Sequence, residues 1–296
     1  MPAAGPTITP EPRSVVITGA SRGLGLASAI RLYELGWRVV GAMRSPELGL
    51  ERLRAATGAI AGDPRLVGVR LDLEDPASIV AAARSIEEAV GAPDALVHNA
   101  GIAAVGFVEE MPFEAWEQVF RTNLFGALRL TQQLLPSMRA AGRGRIVVIS
   151  SQGGIRGMPS ISAYSAAKGA LERWAEALAE EVAPFGLGVT ILVAGMFATD
   201  ILTEHTPHHG DLTGPYARHY AGIDRTGRWM IRFASPPDRF ARRLARALDE
   251  RAPFARHAVG LDARLLLLGS RLLPGWVLHH VVGRVMRLPR HGALHE

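Results

Sequence analysis

Tyr164 and Lys168 stand four residues apart in YSAAK, and Ser151 lies thirteen residues before the tyrosine. A run rich in Ala, Leu and Glu predicts one helix over residues 161–183, which sets Tyr164 and Lys168 one turn apart on the same face. A free phenol titrates near pH ~10 and is a poor acid or base at neutrality, so a fixed ammonium beside it favours the phenolate. A drop of roughly two units takes about 2.7 kcal/mol of differential stabilisation, within reach of one close charge plus a cationic cofactor ring. Tyr and Lys at this spacing also occur as a plain solvent-facing pair. Composition weighs against that reading here: Lys168 is the single lysine among 33 basic residues, and a wide, planar guanidinium would not serve as a compact point charge.

The rest of the chain has to position these groups. At 296 residues, 48% hydrophobic and 21% charged, it is long enough for one large core and shows no sign of wholesale disorder. The absence of cysteine excludes disulfides, thiolate metal sites and thiol nucleophiles. Residues 1–13 are proline-rich with no apolar core, so they are expected to be a disordered lead rather than a secretory signal or a membrane span, and the expected location is cytoplasmic. The formal charge of +5 comes from arginines spread along the chain. No aromatic-basic interleaving accompanies them, and no nucleic-acid partner is expected.

Read in order, the sequence alternates strand and helix. Residues 14–18 (SVVIT) are a short β-branched run, followed by GASRGLG and an Ala/Leu-rich helix to Leu35. Gly19, Gly23 and Gly25 make a tight turn with bare backbone at a helix start, a place that holds phosphate. A second strand over residues 37–42 ends in Met43-Arg44. An arginine at that distance from the glycines accommodates a 2′-phosphate, and Arg22 approaches from the other side, so the pair fits NADP better than NAD. Further strands are predicted at 66–71, 95–98, 145–149 and 188–193. Asp75-Pro76 is a helix start, and a long helical stretch from Phe113 to about Arg139 carries Asn123. Such alternation demands a parallel sheet covered on both faces, a Rossmann-type α/β fold with about seven strands if residues 256–260 form the last. The glycine turn, HNAG at 98–101, Ser151 and the loop AGMFAT at 194–199 all fall beyond strand carboxyl ends, where ligands bind in such sheets.

With TGASRGLG at 18–25, HNAG at 98–101, Asn123, Ser151 and YSAAK at 164–168 in this order and spacing, the chain resembles the short-chain dehydrogenase/reductases over roughly residues 14–200, and among them the NADPH-preferring single-domain type. The resemblance implies that Tyr164 is the acid/base at the carbonyl or alcohol oxygen and that Ser151 hydrogen-bonds the same oxygen. Lys168 would bind the nicotinamide ribose and bias the tyrosine, and Asn123 would hold a water that replenishes the proton. The cofactor set it implies is Gly19, Ser21, Arg22, Gly23, Leu24, Gly25, Arg44, Asp72 and Leu73 on the adenine side, then Asn99, Ala100, Gly101, Tyr164, Lys168 and Thr199 toward the nicotinamide, with NADP(H) as cofactor. Two departures are His98, where the family usually has Asn, and Ala194, where it usually has Pro; His98 is expected to be structural.

Residues 196–237 read as an irregular, apolar-aromatic lid with Met196, Phe197, Ile201, Leu202, Leu212, Tyr216, Tyr220, Trp229, Met230, Ile231 and Phe233. A lid this apolar points to a lipophilic carbonyl or alcohol substrate held under Trp229, although the same residues packed on the core would read alike. His205, His208 and His209 lack helical placement and a carboxylate partner, so no metal is expected. Residues 261–296 form an extension like that of steroid- and retinoid-type members. Its apolar stretch at 265–288 is too broken for a spanning helix, and three placements compete: over the pocket, in a subunit contact, or on a membrane surface, the last least favoured because the tail's charge is modest. A homo-oligomer is expected. Two other functions stay open: an NADP-binding sensor or scaffold without turnover, and a reductase of carrier-bound acyl chains.

Overall fold

The computed structural model describes residues 12–199 and 206–294. Most of the expected lead, together with Ile201, Leu202 and His205, lies outside the described residues. Seven strands, β1 (Ser14–Thr18), β2 (Arg38–Met43), β3 (Leu66–Arg70), β4 (Ala95–His98), β5 (Gly144–Ser151), β6 (Leu187–Ala194) and β7 (Phe254–Val259), form one sheet in the order β3-β2-β1-β4-β5-β6-β7. Every pairing is parallel. The crossovers reverse direction between β1 and β4, which opens a crevice beyond their carboxyl ends.

The period of two along each strand divides the apolar residues between the two faces. Val16, Leu96, Ile146 and Val148 face one layer, formed by α3 (Pro76–Val90), α5 (Gly126–Ala141) and α7 (Ser162–Val182). Val15, Ile17, Val97 and Val147 face the other, formed by α1 (Gly23–Glu34), α2 (Pro46–Thr57) and α9 (Pro237–Leu248). Both faces are therefore dry, as a parallel sheet with helical crossovers requires. Asp75 caps α3 by accepting from the Ala77 N–H, ahead of Pro76 in the first turn.

Two stretches differ from the sequence reading. The long helix expected from Phe113 is two helices, α4 (Phe113–Phe120) and α5, joined through a π-helical turn, Arg121–Phe125, in which the Gly126 N–H bonds the Arg121 carbonyl five residues back. Asn123 sits inside that turn, a widening that interior helices seldom carry away from functional sites. The lid is not irregular throughout: Ala217–Ile231 is helix α8. The tail folds as two helices, α10 (Leu261–Leu272) and α11 (Gly275–Val285), separated where Pro274 removes a backbone donor. Between β5 and α7, residues Gln152–Ile155 make one short turn of helix, α6.

Candidate active site

Thr18 holds the two loops of the crevice together. Its hydroxyl accepts from the Asn99 and Ala100 N–H groups at 3.0 Å each, and the Asn99 side chain donates to the carbonyls of Thr18 (2.9 Å) and Gly19 (3.2 Å). Asn99 thus fixes the turn that follows β1. Gly25 is packed so closely there that a methyl on it would run into the Gly19 carbonyl and the Asn99 amide. Gly19 and Gly23 have φ of +69° and +56°, values that glycine takes at little cost.

These contacts shape a phosphate cradle. No side chain caps the start of α1, and its first turn holds no acid, so the leading amides and the positive end of the helix dipole are available to an anion. A methyl on Gly23 would stand 3.5 Å from Thr199, which brings the loop after β6 over the same cradle. Ser21 and Leu24 lie in it, partly covered. Arg22 is half-buried and Arg44 exposed, and no hydrogen bond or ion pair of either guanidinium is recorded among the described residues. A third guanidinium, that of Arg52, donates to the Ser21 carbonyl (3.2 Å); sequence spacing gave no sign of it. Asp72 accepts from the Glu74 N–H (3.0 Å), and Leu73 is buried against Gly126, which has no side chain to obstruct it. A dinucleotide with its pyrophosphate on α1 fits this donor set.

The side chains expected to react lie at the end of β5 and in the first turns of α7. Tyr164 and Lys168 share one face of α7, and the Lys168 ammonium is 5.8 Å from the tyrosine ring centre. Ser151 hydrogen-bonds the phenol and pulls its pKa down, but burial has the larger effect and pushes it above its ordinary value. In the chain by itself, then, the phenol is held as an acid rather than as the phenolate that sequence spacing suggested, because desolvation outweighs the Ser151 hydrogen bond. Lys168 is buried and donates to the Ile149 carbonyl (2.8 Å). Burial lowers its pKa to about 8, and the carboxylate of Glu172 raises it.

Asn123 uses its side chain on the backbone after β4, donating to the Ile102 carbonyl and accepting from the Ile102 N–H, both at 2.8 Å. Gly101 lies between the two polar groups: a methyl there would stand 3.1 Å from Asn123 Oδ1 and 3.5 Å from Lys168 Nζ. Asn123, Ser151, Tyr164 and Lys168 therefore line one small region, with Asn99, Ala100 and Gly101 as its floor. His98 stays outside it. It is buried, 2.7 Å from the Thr131 hydroxyl and edge-on to Trp174. Thr131 gives its proton to the Ala127 carbonyl, so His98 Nε2 is the donor, and burial, followed by repulsion from Lys168, holds the ring neutral with a pKa of about 3.

Two groups behind the site escaped the sequence reading. Glu172, fully buried, accepts from the Ser150 hydroxyl (2.5 Å) and pairs with Arg256 of β7. Its place four residues after Lys168 extends the Tyr164-Lys168 stripe by one turn, a signal present in the spacing. Asp262, in the first turn of α10, accepts from the Met196 N–H (2.6 Å) and from the Gln152 side chain. It ties the tail to the residues on either side of the site mouth.

The lid is assembled otherwise than expected. Phe197 is core, packed on Phe240. Tyr220 is buried and donates to Glu110, while Tyr216 stacks on Phe107 with ring centres 4.6 Å apart. Val105 pairs with the lid through Pro207 and His209. Trp229 is 57% exposed, and Leu212, Ile231 and Phe233 are exposed as well. Among the described residues no three metal-ligating side chains gather.

Residues 13–210 match the short chain dehydrogenase family. The chain is 37% identical to the uncharacterized oxidoreductase YusZ of Bacillus subtilis over 63% of its own length and 65% of that protein's. It is 36% identical to human retinol dehydrogenase 8 over 71% of its length and 68% of the other's. A short-chain dehydrogenase structure from Streptomyces avermitilis superposes with a TM-score of 0.77 at 34% identity, covering 95% of this chain and 97% of that one. The 3-ketoacyl-(acyl-carrier-protein) reductase of Brucella melitensis, solved with NADH, gives 0.68 at 27% identity over 85% of this chain and 99% of that one. With the doubly wound sheet, the cradle at α1 and the Ser151-Tyr164-Lys168 corner, these matches identify the chain as a member of the short-chain dehydrogenase/reductase family of oxidoreductases, whose fold binds a nicotinamide cofactor.

Proposed function

We propose that the protein is an NADP(H)-dependent oxidoreductase that interconverts a lipophilic ketone or aldehyde and its alcohol. The observation that carries this is the corner in which Ser151 and Tyr164, both partly buried, present two hydroxyls beside the buried Lys168 ammonium. When bound, the reduced nicotinamide supplies the hydride. Negative charge developing on the substrate oxygen is met by the Ser151 and Tyr164 hydroxyls, and Tyr164 delivers its proton to that oxygen. The upward pressure of burial on the Tyr164 pKa keeps that proton available in the reductive direction. Lys168, anchored on the Ile149 carbonyl, has further N–H donors for the ribose hydroxyls and supports the phenolate as it forms. Asn123 fixes the floor at Ile102 and Gly101.

The preference for the phosphorylated cofactor is supported by Arg22 and Arg44, two guanidiniums with no hydrogen-bond or ion-pair partner among the described residues, and by the absence of an acid at Arg44's place to receive a ribose 2′-hydroxyl. The lipophilic substrate is supported by the aromatic wall of Phe107, Tyr216 and Tyr220 and by the likeness to retinol dehydrogenase 8. Phe113, left exposed at the start of α4, and Phe125, exposed at the end of the π turn, support assembly into a homo-oligomer. The test is turnover of NADPH and NADH against a panel of ketones and aldehydes graded by apolar size. Oxidation of NADPH that rises with apolar size supports the reading. Tight cofactor binding with no turnover of any member would point instead to a sensor that kept the fold.

A further inference from the structure

Helices α10 and α11 turn one side to the body and the other to solvent. The inner side is small: Ala263 and Leu278 are buried, Asp262 reaches the site mouth, and Arg156 meets His279 at 3.2 Å. The outer side of α10 carries Leu261, Leu265, Leu268 and Leu272, whose spacing of four, three and four makes one stripe along the helix. Leu261 is 66% exposed, Leu272 69%, and Trp276, at the start of α11, 70%. Trp229 and Phe233 are exposed at the end of α8, which is bonded to α11 through the Thr226 hydroxyl and the Val285 carbonyl (2.9 Å).

Charge sets this surface apart from an ordinary subunit contact. Residues 261–294 contain five arginines, Arg264, Arg271, Arg284, Arg287 and Arg290, and a single acid, Asp262. Asp262 is spent on Gln152 and Met196. None of the five arginines has an ion-pair partner among the described residues, and Arg264 and Arg271 are exposed along the same side of α10 as the leucines.

We propose that this face docks the protein on an anionic lipid surface. Leucines and a tryptophan enter the boundary between headgroups and acyl chains, and the flanking guanidiniums reach the phosphates while their stems cover apolar surface. A second copy placed on the same face by a two-fold axis would set arginines against arginines with no free carboxylate between them. No described helix is long and apolar enough to cross the membrane, so the chain would lie on it. The sequence alone ranked this placement last because the tail's charge is modest; the structure sets that charge beside outward-facing leucines. Asp262 connects the root of α10 to Gln152 and Met196 beside Ser151, so docking would hold the site mouth near the lipid. That consequence rests on the lipophilic-substrate reading, whereas the docking does not.

The test is co-sedimentation of the full chain, without cofactor or substrate, with phosphatidylcholine vesicles and with vesicles containing roughly one-third phosphatidylglycerol. The protein should pellet with the anionic vesicles, hardly with the neutral ones, and less as salt rises. Arg264→Glu/Arg271→Glu should lower the partition coefficient about tenfold or more, and Leu268→Ser/Leu272→Ser should do likewise, with NADPH affinity unchanged as evidence of an intact fold. No partitioning into anionic vesicles would overturn the proposal, as would binding by both variants as strong as that of the unaltered chain. A dimer seen by light scattering that the leucine variant converts to monomer would assign the face to a second copy and overturn it too. Lack of ketone turnover with normal vesicle binding would refute the substrate reading and leave the docking intact.

Discussion

The two ends of the crevice are built in opposite ways. On the side of β1, β4, β5 and α7, nearly every polar group has a partner inside the protein: Thr18 with Asn99 and Ala100, Asn123 with Ile102, Lys168 with Ile149, Glu172 with Ser150 and Arg256. On the side of α8, α10 and α11, large apolar groups stand in solvent, and the arginines of α10 and α11 stand without carboxylates among the described residues. The first arrangement holds reacting atoms to fixed positions, which catalysis rewards. The second leaves surface for whatever the protein must meet. Substitutions on the first side should consequently cost activity and stability together, and those on the second should cost neither in dilute solution.

The largest loss of cofactor binding is expected at Gly25→Ala. The added methyl has only backbone and the Asn99 amide to displace, so stability should fall by about 1–3 kcal/mol, and cofactor binding, measured by fluorescence titration, should be lost with it. Glu172→Gln comes next. It removes one member of a buried pair, a change that typically costs about 3–5 kcal/mol, and it removes the charge that raises the Lys168 pKa. Lys168 is a cation whose pKa in the folded chain is already depressed, so its charge is present below about pH 8 and fades above it. Without Glu172 the pH at which cofactor affinity falls should move lower, while Tyr164, Ser151 and the neutral His98 keep their places. An unshifted profile would make Glu172 a purely structural group.

Arg44→Asp should change the ratio of kcat/KM for NADPH over NADH by about 10–100-fold, the worth of one charge-assisted hydrogen bond to phosphate. An unchanged ratio would leave the cofactor preference to Arg22 and to Arg52, which reaches the same turn through Ser21. The smallest effect belongs to the second side. Trp229→Ala should alter unfolding free energy by no more than about 0.5 kcal/mol, since the ring is mostly outside. A larger loss by denaturant titration would mean that α8 is held by its outer face.

The same contrast explains what was legible in the sequence. The β-branched runs, the glycine turn and the Asp75-Pro76 start announced their elements because each needs a particular residue type. Tyr164, Lys168, Ser151 and Asn123, which the structure brings to one region, could be picked out because topology fixes the spacing at which they meet. Helix α8 was missed because its polar and aromatic residues give no clean apolar stripe, and Phe197 was misplaced because a core phenylalanine and a pocket phenylalanine look alike in a sequence. The π turn at Asn123 has no residue signature. Thr18 and Glu172 were visible as residues, but their roles depend on distances across the fold, over 80 residues from Thr18 to Asn99 and Ala100 and from Glu172 to Arg256.

Tyr164→Phe tests the account most directly, because it removes one oxygen and leaves the ring to pack. NADPH affinity should stay within about twofold of the original, while single-turnover reduction of an accepted ketone should slow by about 10²- to 10⁴-fold. Retention of more than about a tenth of the rate would contradict the assignment of Tyr164 as the proton donor, and with it the proposed reading of the Ser151-Tyr164-Lys168 corner.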